Sequence, residues 1–315
     1  MKMEEQIREN QRILRMLRRP EGQIDVVLDT DTYNEIDDQY ALAFLVKSAP
    51  RLRLVGIHAA PFYAPEFNHK SENPEDGMEK SYEEILRVLR LMEREDLIPL
   101  AQKGSREYMK SETEPVESPA ARRLVELAME HSEEKPLYVL AIGAITNVAS
   151  ALLMEPEIKN RMVLVWLGGN AYFWPDNKEF NLFQDVAGAR VVFGCGVPLV
   201  QLPCMGVVSA FTTTGPELEH WLRGKNKLCD YLADITAREA EEYHMGPCWS
   251  RAIWDVTAVG WLLGEEYMRD RLVHSPIPEY DHHYSFSGER HLIRCVYFIN
   301  RDALFHKLFT TLAGD

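Results

Sequence analysis

The chain has 315 residues, of which 46% are hydrophobic, and this is enough for one large α/β domain or two small ones. Its net charge of −14, from 35 basic and 49 acidic residues, argues against nucleic acid as the main partner. The five cysteines have no CxxC or zinc-like spacing, and no apolar run is long enough to cross a bilayer. The first twenty residues lack the apolar region of a signal peptide, so we expect a cytoplasmic protein without membrane partners.

The first predicted elements are a short helix and a strand–turn–helix unit. Residues 1–22 are interpreted as an N-terminal helical extension, because apolar residues recur there at helical spacing. An apolar run at 26–28 then leads into Asp29-Thr30-Asp31, and a strongly apolar stretch follows at 40–46. This pattern predicts a buried strand, a polar turn and a helix packed back on the sheet. If the strand continues through Asp31, Asp29 and Asp31 share one face.

Short apolar runs and longer helical patterns alternate along the rest of the chain, which predicts a parallel sheet flanked by helices. Further strands are predicted at 52–58, 98–100, 137–142, 162–167 and 198–202. Helices are predicted at 78–92, 120–129, 185–193, 217–243 with a break at 224, 255–263 and 301–312. A hairpin is predicted over 280–299. Since no repeat or linker divides the chain, residues 23–315 are predicted to form a single α/β domain.

Five acidic side chains lie within ten residues at the start of this domain, and no Lys or Arg is found between positions 20 and 47. They are Asp29, Asp31, Glu35, Asp37 and Asp38. Two like charges about 4 Å apart repel by about 4 kcal/mol at an effective dielectric near 20. A helix dipole offsets only about 1 kcal/mol of this. Shared protons, distant basic side chains or a hard cation could neutralise the cluster, and oxygen-only ligands favour calcium or magnesium.

The alternative to a ligand-binding site in this acidic segment is a helix cap with a solvated acidic loop. A position at the carboxyl end of the first buried strand favours a site, because ligands of open α/β sheets bind there. Other predicted strand ends add polar residues that would meet at the same edge. These are Thr146, Asn147, Asn170, the segment 176–181 and Asp255. Taken singly, Thr146 and Asp255 are typical N-caps, but together these groups would suit a cation and a sugar.

Four segments in this order resemble the successive motifs of the nucleoside hydrolases, the inosine–uridine-preferring type. They are DTDTYNEIDDQYAL, AIGAITNVASALL, WLGG followed by KEFNLFQD, and WDVTAVGWLL. The resemblance runs from about residue 25 to 312. It implies a single domain with a Rossmann-like, mostly parallel sheet and a calcium ion (Ca2+) at its carboxyl edge. It also implies a homodimer or homotetramer and a role in purine or pyrimidine salvage.

The resemblance assigns roles to individual residues of this chain. Asp31 would be both a calcium ligand and the base that activates the attacking water. The implied metal ligands are Asp31, Asp38, the backbone carbonyl of Thr146, and Asp255. The implied substrate-binding residues are Asp37, Glu179 and Asn181 on the ribose hydroxyls, Asn170 on the 5′-hydroxyl, and Trp254 beside the base. Asp29 would support the loop.

Three departures from the family pattern are visible. Asn34 and Glu35 lengthen the loop before the Asp pair, and residues 61–63 occupy the place of an Asn that usually follows the second strand. The His that commonly precedes the last Asp, and protonates the leaving base in one subgroup, is Trp254 here. Two routes then remain for activating the leaving base. Stacking could come from Trp254, Trp249, Trp174 or Tyr63, and a proton from His244 or Asp176.

The resulting hypothesis is hydrolysis of the N-glycosidic bond of a ribonucleoside to ribose and free base, with a calcium-bound water activated by Asp31. One alternative is a calcium-dependent ribose- or nucleoside-binding protein without catalysis. Another is a haloacid-dehalogenase-type phosphatase with Asp29 as nucleophile and Asp31 as acid/base. The phosphatase alternative is weakened by Tyr33 and by the lack of a downstream GDxxxD motif.

Overall fold

A computed structural model describes residues 2–243 and 245–314 of the chain. Its strands are β1 (Ile24–Thr30), β2 (Leu52–Ala59), β3 (Ala101–Lys103), β4 (Leu137–Ala141), β5 (Met162–Leu167), β6 (Leu199–Leu202), β7 (Thr212–Thr214), β8 (Ser250–Ala252), β9 (Met268–His274), β10 (Ile277–Pro278), β11 (Tyr284–Ser285) and β12 (Leu292–Ile299). Its helices are α1 (Lys2–Met16), α2 (Asp37–Lys47), α3 (Pro74–Leu91), α4 (Pro119–Met129), α5 (Thr146–Met154), α6 (Phe180–Gln184), α7 (Val186–Gly194), α8 (Gly215–Trp221), α9 (Lys227–Glu242), α10 (Val256–Leu263) and α11 (Arg301–Ala313).

Eight of these strands form one central sheet in the order β3-β2-β1-β4-β5-β6-β12-β9. Neighbouring strands are parallel except for β9, which pairs antiparallel with β12 at the edge. Two short antiparallel pairs, β7 with β8 and β10 with β11, lie outside the sheet. The chain therefore forms a single α/β domain with a mostly parallel sheet, which confirms the predicted fold class.

The central strands are apolar along their whole length because helices cover both faces of the sheet. Alternate residues of β1 show this directly. Val26 and Leu28 belong to one hydrophobic cluster, with α2, α3, α9, α10 and α11. Val27 belongs to the other cluster, with α4, α5 and α7. Almost every residue of α2 is buried, so its sequence has the continuous apolar character that we noted at 40–46.

The structure corrects two predicted elements. Residues 95–100 form a 3₁₀ helix, and the strand predicted at 98–100 begins only at Ala101. The hairpin predicted over 280–299 is wrong, because β12 pairs with β9 and not with the segment just before it. Strand β9 was missed because its sequence, MRDRLVH, is largely charged. It lies at the sheet edge with most of its side chains at least partly exposed, so it has no continuous apolar run.

The N-terminal helix α1 packs on the rest of the molecule. Ile13, Met16 and Leu17 are buried in the core, and the Arg19 guanidinium lies 4.3 Å from the centre of the Trp261 ring. A boundary between an extension at 1–22 and a domain at 23–315 stays a prediction. Within the described residues, no helix is long and apolar enough to cross a membrane.

The order of the strands creates a crevice beside β1. The chain passes from β1 to β2 and β3 on one side, and then returns to place β4, β5 and β6 on the other. Loops at the carboxyl ends of β1 and β4 therefore run in opposite directions and leave a gap between them, which is where open α/β sheets bind their ligands.

Candidate functional site

A cavity of about 400 Å³ opens at this carboxyl edge. Its polar floor and its more exposed mouth come from loops that follow several strands. The residues that line it are Asp31, Asn34, Glu35, Asp37, Asp38, Phe67, Asn68, Ile142, Leu167, Asn170, Lys178, Glu179, Phe180, Asn181, Cys204, Met205, Tyr243, Met245, Arg251, Trp254 and Asp255. Segments far apart in the sequence thus meet in one site.

The loop from β1 to α2 supplies the first acidic residues. The backbone N–H of Asn34 donates a hydrogen bond to the backbone carbonyl of Asp31 over 2.7 Å, which closes a tight turn just after the strand. Asp37 and Asp38 form the first turn of α2, where unpaired backbone N–H groups and the helix dipole favour carboxylates. The Thr30 hydroxyl donates to Asp38 and fixes that side chain under the loop.

Asp255 joins these acids from the other end of the chain. Carboxylate oxygens of Asp37, Asp38 and Asp255 lie within 4.8 Å of one another, and all three side chains are buried. The Asp255 amide also donates to Asp37 Oδ2 over 3.1 Å. Asp31 lines the same cavity but is outside this group of three, and its buried Oδ2 has no partner among the described residues.

Burial and mutual repulsion make this cluster hold protons. Burial, and then the neighbouring charge of Asp38, raise the pKa of Asp37 to about 7. Burial also raises the pKa of Asp38 to about 7, and it raises the pKa values of Asp31 and Asp255 well above their usual range. A hard cation would remove both penalties, because it supplies the missing positive charge and takes oxygen ligands. The buried Asp cluster can therefore bind a metal ion.

Thr146 is not brought into the cavity wall formed by the described residues. Its hydroxyl donates to Asp185 Oδ2 over 2.6 Å, beneath the start of α5. The residue of this segment that lines the cavity is Ile142, directly after β4. The Ile142 carbonyl accepts from Asn181 Nδ2 over 3.2 Å. The sequence analysis missed Ile142 because every residue has a main-chain carbonyl, so the residue type does not show which carbonyl lies at a site.

The predicted ribose-binding residues do come together. Glu179 caps α6, and its two oxygens accept the amides of Gly169, Asn181 and Leu182 over 2.7–3.0 Å. Asn181 lies next to it and donates to main-chain carbonyls at the ends of β4 and β5. Asn170 also lines the cavity, with its Oδ1 accepting the Met205 amide over 3.1 Å. These bonds hold each side chain rigidly in the wall.

Among the described residues, only one of those predicted to activate the leaving base reaches the cavity. Trp254 lines it, and its indole N–H is buried without a partner among the described residues. Four other candidates are absent from the part of the wall that the structure describes, namely Trp249, Trp174, Tyr63 and Asp176. His244 lies outside the described residues. Asp29 does not line the cavity either, and it accepts from Asn147 Nδ2 over 2.9 Å, which fits support of the loop better than nucleophilic attack.

Sequence reasoning also missed Arg251. This buried side chain lines the cavity and forms ion pairs with Glu239 over 2.5 Å and with Glu35 over 3.2 Å. The sequence showed Glu35 as one of the five clustered acids and as one of two extra residues in the first loop. Its pairing with an arginine near the other end of the chain depends on the fold, and no local pattern indicates it.

Solved structures share this fold. The chain superposes on a plant nucleoside hydrolase with a TM-score of 0.72 at 18% identity, covering 93% of this chain and 99% of that one. A purine-preferring ribonucleoside hydrolase from Gardnerella vaginalis gives a TM-score of 0.70 at 18% identity, covering 92% and 98%. Fold and cavity thus define an α/β protein with the architecture of a nucleoside hydrolase.

The sequence comparisons establish the family. The model of the inosine-uridine preferring nucleoside hydrolase family matches residues 26–291. A pyrimidine-specific ribonucleoside hydrolase from Enterobacter sp. (strain 638) is 26% identical over 268 residues, covering 77% of this chain and 80% of the relative. The chain belongs to the inosine-uridine preferring nucleoside hydrolase family, and it is a ribonucleoside hydrolase enzyme.

Proposed function

We propose that this enzyme cleaves the N-glycosidic bond of a ribonucleoside with water activated by Asp31, and that calcium is the ion held by its acidic cluster. The observation that carries the proposal is the convergence of Asp37, Asp38 and Asp255 within 4.8 Å at the floor of a cavity of about 400 Å³. A cavity of this size suits a small ligand. Oxygen ligands alone favour calcium over the softer transition metals.

The proposed ligand set combines the family resemblance with the residues that line the cavity. Asp31, Asp38 and Asp255 would hold the ion, as the resemblance implied. The main-chain oxygen would come from Ile142, since its residue lines the cavity and Thr146 does not. When bound, the ion supplies positive charge that orients the ribose diol and acidifies a neighbouring water.

The protein groups perform the remaining steps. Asp37, Glu179 and Asn181 hold the ribose hydroxyls, with Asn170 toward the 5′ end, so that the sugar is fixed before the bond breaks. Asp31 takes a proton from the attacking water, and its unpartnered Oδ2 is available for this. The C1′–N bond breaks as the water oxygen bonds to C1′, through a transition state with oxocarbenium character. Trp254 stacks beside the departing base.

A cytoplasmic location, a role in nucleobase salvage and a homodimeric or homotetrameric state complete the proposal. The family supports all three, and the five free cysteines suit the reducing conditions of the cytoplasm.

The decisive experiment is a reducing-sugar assay over a panel of purine and pyrimidine ribonucleosides, with enzyme treated with a calcium chelator and then supplied with calcium or magnesium. We expect ribose release that is lost with the chelator and restored best by calcium. Asp31→Asn should reduce turnover by more than about 10³-fold with the fold intact, because it removes the only proposed base. Retained turnover in that variant would rule out the role of Asp31.

A further inference from the structure

Arg251 is a cation built into the wall of a cavity whose floor is acidic. It lies in β8, and its side chain is only 6% exposed. The other described Lys or Arg in the wall is Lys178, which is exposed to solvent. Burying a guanidinium costs several kcal/mol unless it is paired, on the order of the penalty known for buried ions. Arg251 meets this requirement with two carboxylates, and its place in the wall brings its positive charge next to a ligand in the cavity.

Arg251 is held in place by two carboxylates, one of which also binds a second cation. Glu239 accepts from Arg251 over 2.5 Å, but the same carboxylate also binds Lys70 Nζ over 2.8 Å. Glu35, from the lengthened first loop, is the second partner of Arg251 at 3.2 Å. One carboxylate is thus shared by two cations. The guanidinium Nε is buried with no partner among the described residues.

Arg251 lies on the aromatic side of the cavity. Its guanidinium carbon is 5.4 Å from the centre of the Trp254 ring and 5.5 Å from that of Tyr243, and both rings line the cavity. Tyr243 is 41% exposed and so lies closer to solvent than the buried carboxylates. Hydroxyl-binding groups occupy the floor, and flat rings with a cation occupy the wall above it. A nucleoside fitted with its sugar down therefore places its base beside Arg251.

On the basis of the proposed function, we propose that Arg251 stabilises the departing base as an anion when that base carries a ring carbonyl. The electron pair of the C1′–N bond passes to the base nitrogen and is delocalised onto that carbonyl oxygen. The guanidinium attracts this charge as it develops. The water proton goes to Asp31, and the released base anion later takes a proton from solvent.

A guanidinium suits the stabilisation of an anion, and it cannot act as the acid. It has only donors and does not give up its proton in proteins, so it cannot protonate a ring nitrogen as an acid would. An adenine base, which lacks a carbonyl and leaves only after protonation, gains little from it. Glu35 is a positioning residue in this scheme, since it orients Arg251 and does not act on the base. The arrangement would supply leaving-group stabilisation where Trp254 replaces the usual histidine.

The test compares a natural base with a leaving group that needs no help. Uridine and p-nitrophenyl riboside share the ribose, but p-nitrophenolate already leaves as a stable anion. We expect Arg251→Met to lower kcat/KM for uridine by about 10²-fold or more, the usual loss for one transition-state donor, and to change that for p-nitrophenyl riboside by less than about 5-fold. Lys70→Met is the matched control, because it removes a cation from the same Glu239 without touching the wall. It should leave the ratio of the two rates unchanged.

Folding is checked by the thermal midpoint of each variant, and Arg251→Lys, which keeps the charge beside Glu239, is measured in the same way. It should show a smaller loss that is again confined to uridine. Equal losses on both substrates, or the same change in ratio with Lys70→Met, would overturn the role of Arg251. So would an equal loss of kcat/KM for adenosine and for uridine in Arg251→Met. Failure of the unaltered enzyme to hydrolyse either riboside would instead contradict the proposed function itself.

Discussion

Asp29 and Asp31 are two residues apart at the end of the same strand, yet they have different surroundings. β1 ends at Thr30, so the alternation that would place both on one face stops before Asp31. Asp29 stays inside the sheet beside Asn147, and burial raises its pKa to about 7. Asp31 turns into the cavity. The end of the strand thus separates a supporting carboxylate from a proposed catalytic one.

Asp38 is the residue at which function and stability are expected to conflict most clearly. Asp38→Asn keeps an oxygen that can accept from the Thr30 hydroxyl but removes one charge from the cluster. At pH 8, above the pKa of about 7, we expect the calcium-free variant to gain about 2 kcal/mol of unfolding free energy. We also expect calcium to stabilise it much less than it stabilises the unaltered enzyme. Urea unfolding with chelator and with calcium measures both effects.

Asp25→Asn is the control for that experiment. Asp25 lies near the start of β1, where it pairs with Arg53 and does not line the cavity. This variant should keep the full calcium effect. An unchanged response to calcium in Asp38→Asn would show that Asp38 holds no ion.

At the residue scale, the sequence indicated the acids of the site together with Asn170, Asn181 and Trp254, which all line the cavity, but it did not indicate Ile142 or Arg251. Acidic residues beside apolar runs are conspicuous because burial of a carboxylate is costly, and Asp31, Asp38 and Asp255 all line one cavity. Ile142 and Arg251 could not be found in this way. Ile142 would contribute a main-chain atom, and Arg251 gains its partners only when distant segments meet.

At the element scale, hydrogen bonds of the Asn147 side chain connect β1 with α5 next to the loop that carries Asp31. The Asn147 amide donates to Asp29 over 2.9 Å, while its oxygen accepts from the amide and the hydroxyl of Ser105 at 2.8 and 2.9 Å. One buried side chain therefore connects β1, α5 and the loop after β3. A buried polar group that loses its partner costs about 1–3 kcal/mol.

Asn147→Ala should accordingly lower the unfolding free energy by about 2–3 kcal/mol, because it leaves both Asp29 and Ser105 without this partner. Turnover should fall as well, since Asp31 follows Asp29 by two residues. Asn160→Ala, which removes an exposed amide bonded to Glu157 over 3.1 Å, is the matched control and should change stability by less than about 0.5 kcal/mol. Urea unfolding compares the two variants. Equal losses of unfolding free energy would show that the hydrogen bonds of Asn147 do not stabilise this connection.

Elements with continuous apolar runs were predictable because both faces of the central sheet are covered, and β1, β2, β4, β5 and β6 were all found from this pattern. The edge strand β9 was not. Its side chains are largely charged and partly exposed. Residues 275–291 separate it from β12, the strand with which it pairs. Edge strands avoid apolar character because it would promote aggregation, so their sequences carry a weak signal.

At the scale of the whole molecule, two distant segments are joined through a cluster of like charges. Asp37 and Asp38 begin α2, and Asp255 precedes α10, which packs against α2 in the core. Apolar packing of these two helices forces the carboxylates together. The fold thus keeps a repulsive cluster assembled, and the binding of a cation or of protons offsets the repulsion.

This balance gives the stability of the enzyme a defined dependence on pH. Asp37 and Asp38 have pKa values of about 7 when folded, against 3.8 as their ordinary value. Between about pH 4 and pH 7 the calcium-free native state therefore binds more protons than the unfolded state, so its unfolding free energy falls as pH rises through this window. A cation must displace those protons, and its affinity therefore rises with pH, about tenfold per unit for each proton released.

We therefore expect calcium to raise the thermal midpoint more at pH 8 than at pH 6, relative to the same enzyme with chelator. The stabilisation follows the logarithm of the ratio of free calcium to its dissociation constant, so a fixed calcium concentration makes the two pH values comparable. Differential scanning calorimetry measures the shift, with Asp38→Asn run alongside. The variant should lose most of the shift at pH 8, because the negative charge of the ligand and its titrating carboxyl are both gone. A shift that is equal at both pH values, or larger at pH 6, would mean that the buried carboxyls do not release protons to the ion.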